Sequence, residues 1–176
     1  PCDIVVLHQR SNWHSKEGTY LGKLVFYGDG GNDPNGRRAT NFAHIRNLLS
    51  IVQARGASLL LLGDVPLLPE RAQLCATSIA AAARCETSRA SVLEQTAVER
   101  NFYSELVQAD RTNSTYYMPL DELFCDPNAQ AGRECGVVVP GTHTVAFLDS
   151  NHINTAGASY LWPFLCDFFT RHGLMG

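Results

Sequence analysis

Ala57-Ser-Leu-Leu-Leu-Leu62 runs without a break into Gly63-Asp-Val-Pro66, and that junction decides the fold. A short apolar run closed by turn residues reads as a strand buried on both faces. Such strands belong to parallel sheets covered by helices. Ile4-Val-Val-Leu7, after Asp3, has the same character and predicts a second strand of that kind. Between them, Asn41 to Arg55 sets Phe42, Ile45, Leu48, Leu49 and Val52 at helical spacing. Thr40 suits its N-cap and Gly56 its C-cap. Strand, helix and strand in that order make a βαβ unit.

Outward from this unit, His8 to Arg38 reads as a long loop, with Gly28, Gly30, Gly31, Pro34 and Gly36 crowded together. Long loops are often functional. A short Ala-rich helix is expected between Cys75 and Cys85. Ser88 to Asp110 predicts the longest helix, with Val92, Leu93, Ala97, Phe102, Leu106 and Val107 near one face. Thr115 to Met118 is a short strand, and Leu120 to Cys125 is a helical turn or an extended segment. Val137–Val139 and Thr144–Leu148 are β-prone. Gly157 to Arg171 closes the chain as a helix striped by Tyr160, Leu161, Phe164, Leu165 and Phe168; Pro163 there marks a kink or a late start. The alternation means α/β with a mostly parallel sheet. Ligands in such sheets bind outside the strands' carboxyl ends. The segments after Leu7, after Leu62 and before the last helix are therefore expected on one face.

The 176 residues suit a single domain. Apolar residues are 45% and charged residues 18%, a globular balance. With 14 Lys and Arg against 17 Asp and Glu, the chain has no basic footprint for nucleic acid. No apolar run is long enough to cross a bilayer. No signal peptide is visible. A chain that opens on Pro1, inside a strand, reads as a fragment of a longer protein.

Six cysteines are present, and two pairs are each ten residues apart. Cys75–Cys85 and Cys125–Cys135 read as short disulfide loops, which implies an oxidising compartment. The alternative is buried thiols in a cytosolic protein. Cys2 and Cys166 are the remainder, and Cys2 has an upstream partner as its alternative. No C-x-x-C pair occurs, which disfavours a zinc ribbon. Asn113-Ser-Thr is a glycosylation sequon, relevant only on a eukaryotic secretory route.

The chemistry concentrates in Asp149-Ser-Asn-His152, followed by Asn154 and Gly157, in a polar loop opening the last helix. A D-x-x-H step on a loop can set carboxylate beside imidazole. The Asp then accepts from Nδ1–H and leaves Nε2 as general base. The competing reading is a helix cap, because Asp149, Asn151 and Asn154 are all capping residues.

That block resembles the last motif of SGNH (GDSL-like) hydrolases. The stretch Asp3-Ile-Val-Val-Leu-His-Gln-Arg-Ser-Asn12-Trp13 is similar to the family's strand leading into a G-x-N-D block, with Arg10 at the Gly and Asn12 at the oxyanion Asn. Arg10 and Trp13, then Val65-Pro66 and the Cys pairs, look more like the SGNH domain fused to acyltransferase-3 membrane proteins. The resemblance implies a three-layer, flavodoxin-like α/β domain over residues 1–176, here without its first strand. It implies serine O-acyl transfer or ester hydrolysis, with an acylated carbohydrate as substrate and no cofactor. His152 would be base and acid, Asp149 would orient it, and Asn12, with Arg10 nearby, would face the acyl group. An upstream acyltransferase membrane domain would be its partner in the full-length protein, and this domain would face the periplasm, a lumen or the exterior.

The nucleophile block is not in this sequence. SGNH enzymes carry Ser in Gly-Asp-Ser, and neither Gly63-Asp64-Val65 nor Gly28-Asp29-Gly30 supplies it. The Ser is therefore expected upstream of Pro1, and this polypeptide alone is expected to be inactive. Gly30-Gly-Asn32-Asp33 fits G-x-N-D literally, but in a turn-rich loop, so Asn12 is preferred. His8, His14 and His44 form no ligand set, so no metal is expected. Asp64 either contacts substrate or forms the Gly63–Pro66 turn. Trp13, Tyr20, Phe26 and Tyr27 line a pocket or cover the core. The rival function is a non-catalytic binding domain on the same scaffold. A flavodoxin-like small-molecule binder is a third reading, and it lacks a phosphate-cradling Gly loop.

Overall fold

The computed structural model describes residues 4–8, 34–69, 72–75 and 83–174. Three strands, β1 (Ile4–His8), β2 (Ser58–Leu62) and β3 (Thr115–Met118), form one sheet in the order β1-β2-β3. β1 and β2 are parallel, with Ile4 opposite Ser58 and His8 opposite Leu62. β3 joins through Leu59 N–H to Ser114 O (2.8 Å) and Gly63 N–H to Met118 O (2.9 Å). The two bonds keep one offset along the chain, as in a parallel pair. The protein is α/β with a parallel sheet, as the alternation of its sequence predicts.

Helix α1 (Pro34–Ala54) lies between β1 and β2 in sequence, and α2 is a single turn, Ala72–Cys75. Helix α3 (Arg89–Ala109) precedes β3, and α4 (Thr155–Arg171) closes the chain. Short 3-10 turns occur at Ala83–Cys85 and Asp121–Phe124. The expected Ala-rich helix falls largely on residues 76–82, outside those described.

Two expectations are corrected. α1 begins at Pro34, so Gly36, Arg37, Arg38 and Thr40 are helical and Thr40 is not the N-cap. Proline at a first helical position is pre-set in φ and lacks only an N–H with no intrahelical partner. α3 and α1 each span 21 residues, so α3 is not the longest alone. The stop at Gly56 is as expected. Gly56 sits at φ 67°, its N–H donates to Gln53 O (2.9 Å), and Ala57 N–H donates to Val52 O (3.2 Å). This pair of bonds is a Schellman closure, which needs the left-handed residue glycine supplies. α4 starts at Thr155 and runs through Pro163.

The chain divides into two compact units, 1–62 with 98–117, and 63–97 with 118–176. In the first, Ile45, Leu49 and Val52 of α1 and Phe102, Tyr103 and Leu106 of α3 pack on Leu59 and Leu61 of β2. Val5, Leu7, Phe42 and Tyr117 lie against this cluster. Leu59, Leu60 and Leu61 are all fully buried. Their alternating sides are both covered, which is why these three positions are all apolar. Phe42 stacks on Phe102 with centroids 3.7 Å apart.

The second unit packs Phe124 against Phe147 and Tyr160 and carries two cross-links. Disulfides join Cys75 to Cys85 and Cys125 to Cys135, as the spacing predicts. Cys135 pairs with Thr87 through two backbone bonds and packs with Val92. Arg89 pairs with Glu122, and Arg133 with Glu86. The Val137–Val139 and Thr144–Leu148 runs make isolated bridges, Val138 to Val145 and Phe147 to Ile153. Among the described residues, no helix is long and apolar enough to cross a membrane.

Candidate active site

The loop that carries Asp149 and His152 is held at both ends. Phe147 and Ile153 form an antiparallel bridge, closed by Leu148 N–H to His152 O (2.6 Å) and Asn154 N–H to Ala146 O (2.8 Å). Three residues, 149–151, make the turn. Directly after the bridge, Asn154 caps α4. Its Oδ1 accepts from Ala156 N–H (2.8 Å) and Gly157 N–H (3.0 Å), while its Nδ2 donates to Val145 O (2.9 Å). The cap of α4 is therefore Asn154, and Asp149 is free of that duty.

Asp149 instead organises the loop around His152. Its Oδ1 accepts from the backbone N–H of Asn151 (2.9 Å) and of His152 (2.8 Å). Its Oδ2 lies 2.6 Å from His152 Nδ1. Burial raises the Asp149 carboxyl, but the bonds from Asn151 and His152 outweigh it and hold the group below the usual carboxylate range. An ionised Asp149 accepts from Nδ1–H, and in the neutral imidazole that tautomer carries its lone pair on Nε2. The His152 side chain is 57% exposed, so the imidazole is reached from solvent.

The segment after β2 meets this loop. Leu68 N–H donates to Ser150 O at 2.8 Å. Two of the three segments expected on one face are thus together. Asp64 is buried, and its Oδ1 accepts from Val65 N–H (3.0 Å). Val65 and Pro66 are buried beside it. Arg10, Asn12, Trp13, His14, Tyr20, Phe26, Tyr27, Asn32 and Cys2 lie outside the described residues. Cys166 is half-buried on α4 with no disulfide partner among the described residues; its remainder pairing with Cys2 falls on a residue outside those described. His44 is exposed on α1, and among the described residues no group of His, Cys, Asp and Glu converges as metal ligands.

Sequence reasoning set the Asp149 carboxylate beside the His152 imidazole, as the 2.6 Å contact has it, but missed the bridge that frames them. Its signal was present: Phe147 and Ile153 flank a polar turn, which is a hairpin pattern. It also missed the packing reason for Gly157. A Cβ there would lie 2.4 Å from Ala146 O and 2.9 Å from Ile153 Cβ.

No curated protein and no solved structure matches the chain. One family model does, described as the SGNH domain fused to AT3 domains, and it spans residues 1–165. With that span, a parallel α/β sheet and a carboxylate–imidazole pair ahead of the last helix, the chain belongs to the family of SGNH domains fused to AT3 domains.

Proposed function

We propose that this domain supplies the acid–base half of a serine O-acyl transfer or ester hydrolysis centre acting on acyl groups of carbohydrate. The observation that carries the reading is the 2.6 Å contact between Asp149 Oδ2 and His152 Nδ1, with the imidazole side chain exposed. In this mechanism His152 Nε2 takes the proton of a Ser hydroxyl as its oxygen attacks the acyl carbonyl. The tetrahedral intermediate collapses, and His152 returns the proton to the departing alcohol. The acyl-serine then passes its acyl group to water or to an acceptor hydroxyl, with His152 again as base. Asp149 fixes the tautomer and stabilises the imidazolium. Asn12 is assigned to the oxyanion, with Arg10 beside the acyl group.

The Ser is assigned to a Gly-Asp-Ser block preceding residue 1 in the gene product, because the 176 residues contain none. The chain alone is then inactive. Two disulfides, which form in oxidising compartments, support an extracytoplasmic position, and the AT3 fusion family supports a membrane-bound full-length protein.

The test is acetate release from an acetyl ester by the full-length gene product and its His152→Ala variant. Loss of a general base lowers the rate by about 10²–10⁴-fold. Unchanged activity in His152→Ala overturns the assignment. No esterase or transferase activity in the wild-type protein favours the rival binding role.

A further inference from the structure

Asn113-Ser114-Thr115 lies where α3 gives way to β3. Asn113 is exposed and takes φ 53°, a left-handed turn conformation that asparagine tolerates better than most residues. Asp110 accepts from the N–H groups of Thr112, Ser114 and Thr115, and Tyr116 O–H donates to Asn113 O (2.9 Å). These bonds fix the backbone of the turn and present residue 113 to solvent. The turn stands at the amino end of β3, where Ser114 O accepts from Leu59 N–H. Ligands of a parallel α/β sheet bind at the carboxyl ends, so bulk added at Asn113 leaves those ends open. Thr115 is the opposite case. It is 4% exposed, and its Oγ1 is buried with no hydrogen-bond partner of normal geometry. A buried hydroxyl without a partner costs stability, and valine has nearly the same shape and suits a strand. The fold does not account for a hydroxyl at position 115, whereas the N-x-T pattern does.

We infer that Asn113 is an N-glycosylation site, which accepts an oligosaccharide on its amide nitrogen when the protein is made on a eukaryotic secretory route; this rests on the extracytoplasmic position proposed above. The two disulfides support passage through the oxidising compartment in which that transfer takes place. The donor is an oligosaccharide carried on a lipid pyrophosphate. Asn113 Nδ2 forms a bond to its anomeric carbon, and the bond from that carbon to the pyrophosphate oxygen breaks. The lipid pyrophosphate leaves with the electron pair, and the amide gives up one proton. No oxidant or reductant is consumed. The Thr115 hydroxyl is read on the extended chain, before β3 folds and buries it. Once attached, the glycan is a bulky polar group on a surface turn, and the backbone bonds of that turn are untouched.

The experiment expresses the full-length gene product on the secretory route of a eukaryotic cell, as wild type, Asn113→Gln, Thr115→Val and Thr115→Ser. Peptide N-glycosidase converts a glycosylated asparagine to aspartate. Mass spectrometry of the peptide carrying residue 113 reads that conversion whether or not a variant folds. Wild type and Thr115→Ser are converted, and only after enzyme treatment; conversion is lost in Thr115→Val, and Asn113→Gln carries no glycan on this peptide. An unconverted Asn113 in wild-type protein whose Cys125–Cys135 link is formed overturns this inference and leaves the extracytoplasmic position standing. Conversion that persists in Thr115→Val, or that occurs without the enzyme, also overturns it. Wild-type protein with that link reduced and Asn113 unconverted overturns the extracytoplasmic position and this inference with it.

Discussion

Gly157 and Ala146 approach so closely that no side chain fits between them: an added Cβ would sit 2.4 Å from the Ala146 carbonyl oxygen. That oxygen is backbone and accepts from Asn154 N–H (2.8 Å), so it cannot retreat without opening the bridge that frames the dyad. Gly157→Ala is expected to destabilise the chain by about 1–3 kcal/mol, as overpacking does. Thermal unfolding checks it, with a midpoint lowered by roughly 3–10 °C.

Asp149→Asn separates orientation from folding. The amide oxygen still accepts the N–H groups of Asn151 and His152, so the turn survives. The amide nitrogen donates where the carboxylate accepted. His152 Nδ1 must then accept, and the ring proton moves to Nε2, where a base needs a lone pair. Activity of the full-length protein is expected to fall by about 10³–10⁴-fold, while the unfolding midpoint changes little. Imidazole nitrogen shifts report the switched tautomer directly.

Asp110 ties the turn between α3 and β3. Its carboxylate accepts from the N–H of Thr112 (2.8 Å), Ser114 (2.8 Å) and Thr115 (2.7 Å), and from Gln53 Nε2 (2.9 Å) of α1. Burial raises this carboxyl, but bonds from Thr112, Thr115 and Ser114 outweigh it and hold the group well below the usual carboxylate range. A carboxyl depressed in the folded state contributes stability above its unfolded pKa. That contribution is lost as pH falls from about 4 toward the folded value. Asp110→Ala is expected to cost about 2 kcal/mol at neutral pH. Urea unfolding of both proteins from pH 7 to pH 2 checks it: the difference between them shrinks as the solution becomes more acid.

The Cys125–Cys135 link closes a short loop beside α3's first turn, where Glu134 accepts from Arg89 N–H (3.2 Å). Replacing both cysteines by Ala is expected to cost about 2–3 kcal/mol, since the unfolded chain regains the freedom the link removes. Denaturant midpoints with and without reductant check it: reductant shifts the wild type more than the variant, in which the Cys125–Cys135 link is already absent.

Strands and dyad were legible because each rests on local signals. β2 reads from its unbroken leucines, and Asp149 and His152 from a spacing that a short loop can close. The start of α1 was hidden, because Pro34-Asn-Gly36 has turn composition and no apolar rhythm before Phe42. The Val138–Val145 and Phe147–Ile153 contacts were partly legible: β-branched and aromatic residues signalled extension, but not that each would stop at one bridge. Gly157 could be read as part of a motif, while its reason is a contact with Ala146, and only the folded chain brings that carbonyl near.

Asn154 bonds at once to Ala146, to Val145 and to the first turn of α4. The opening of the loop is consequently expected to be coupled to that of the helix end. The amides of Asn154, Ala156 and Gly157 should exchange with deuterated water as one cooperative group, at the opening rate of the helix end itself. Whatever steadies the first turn of α4 is then expected to steady the backbone that carries His152.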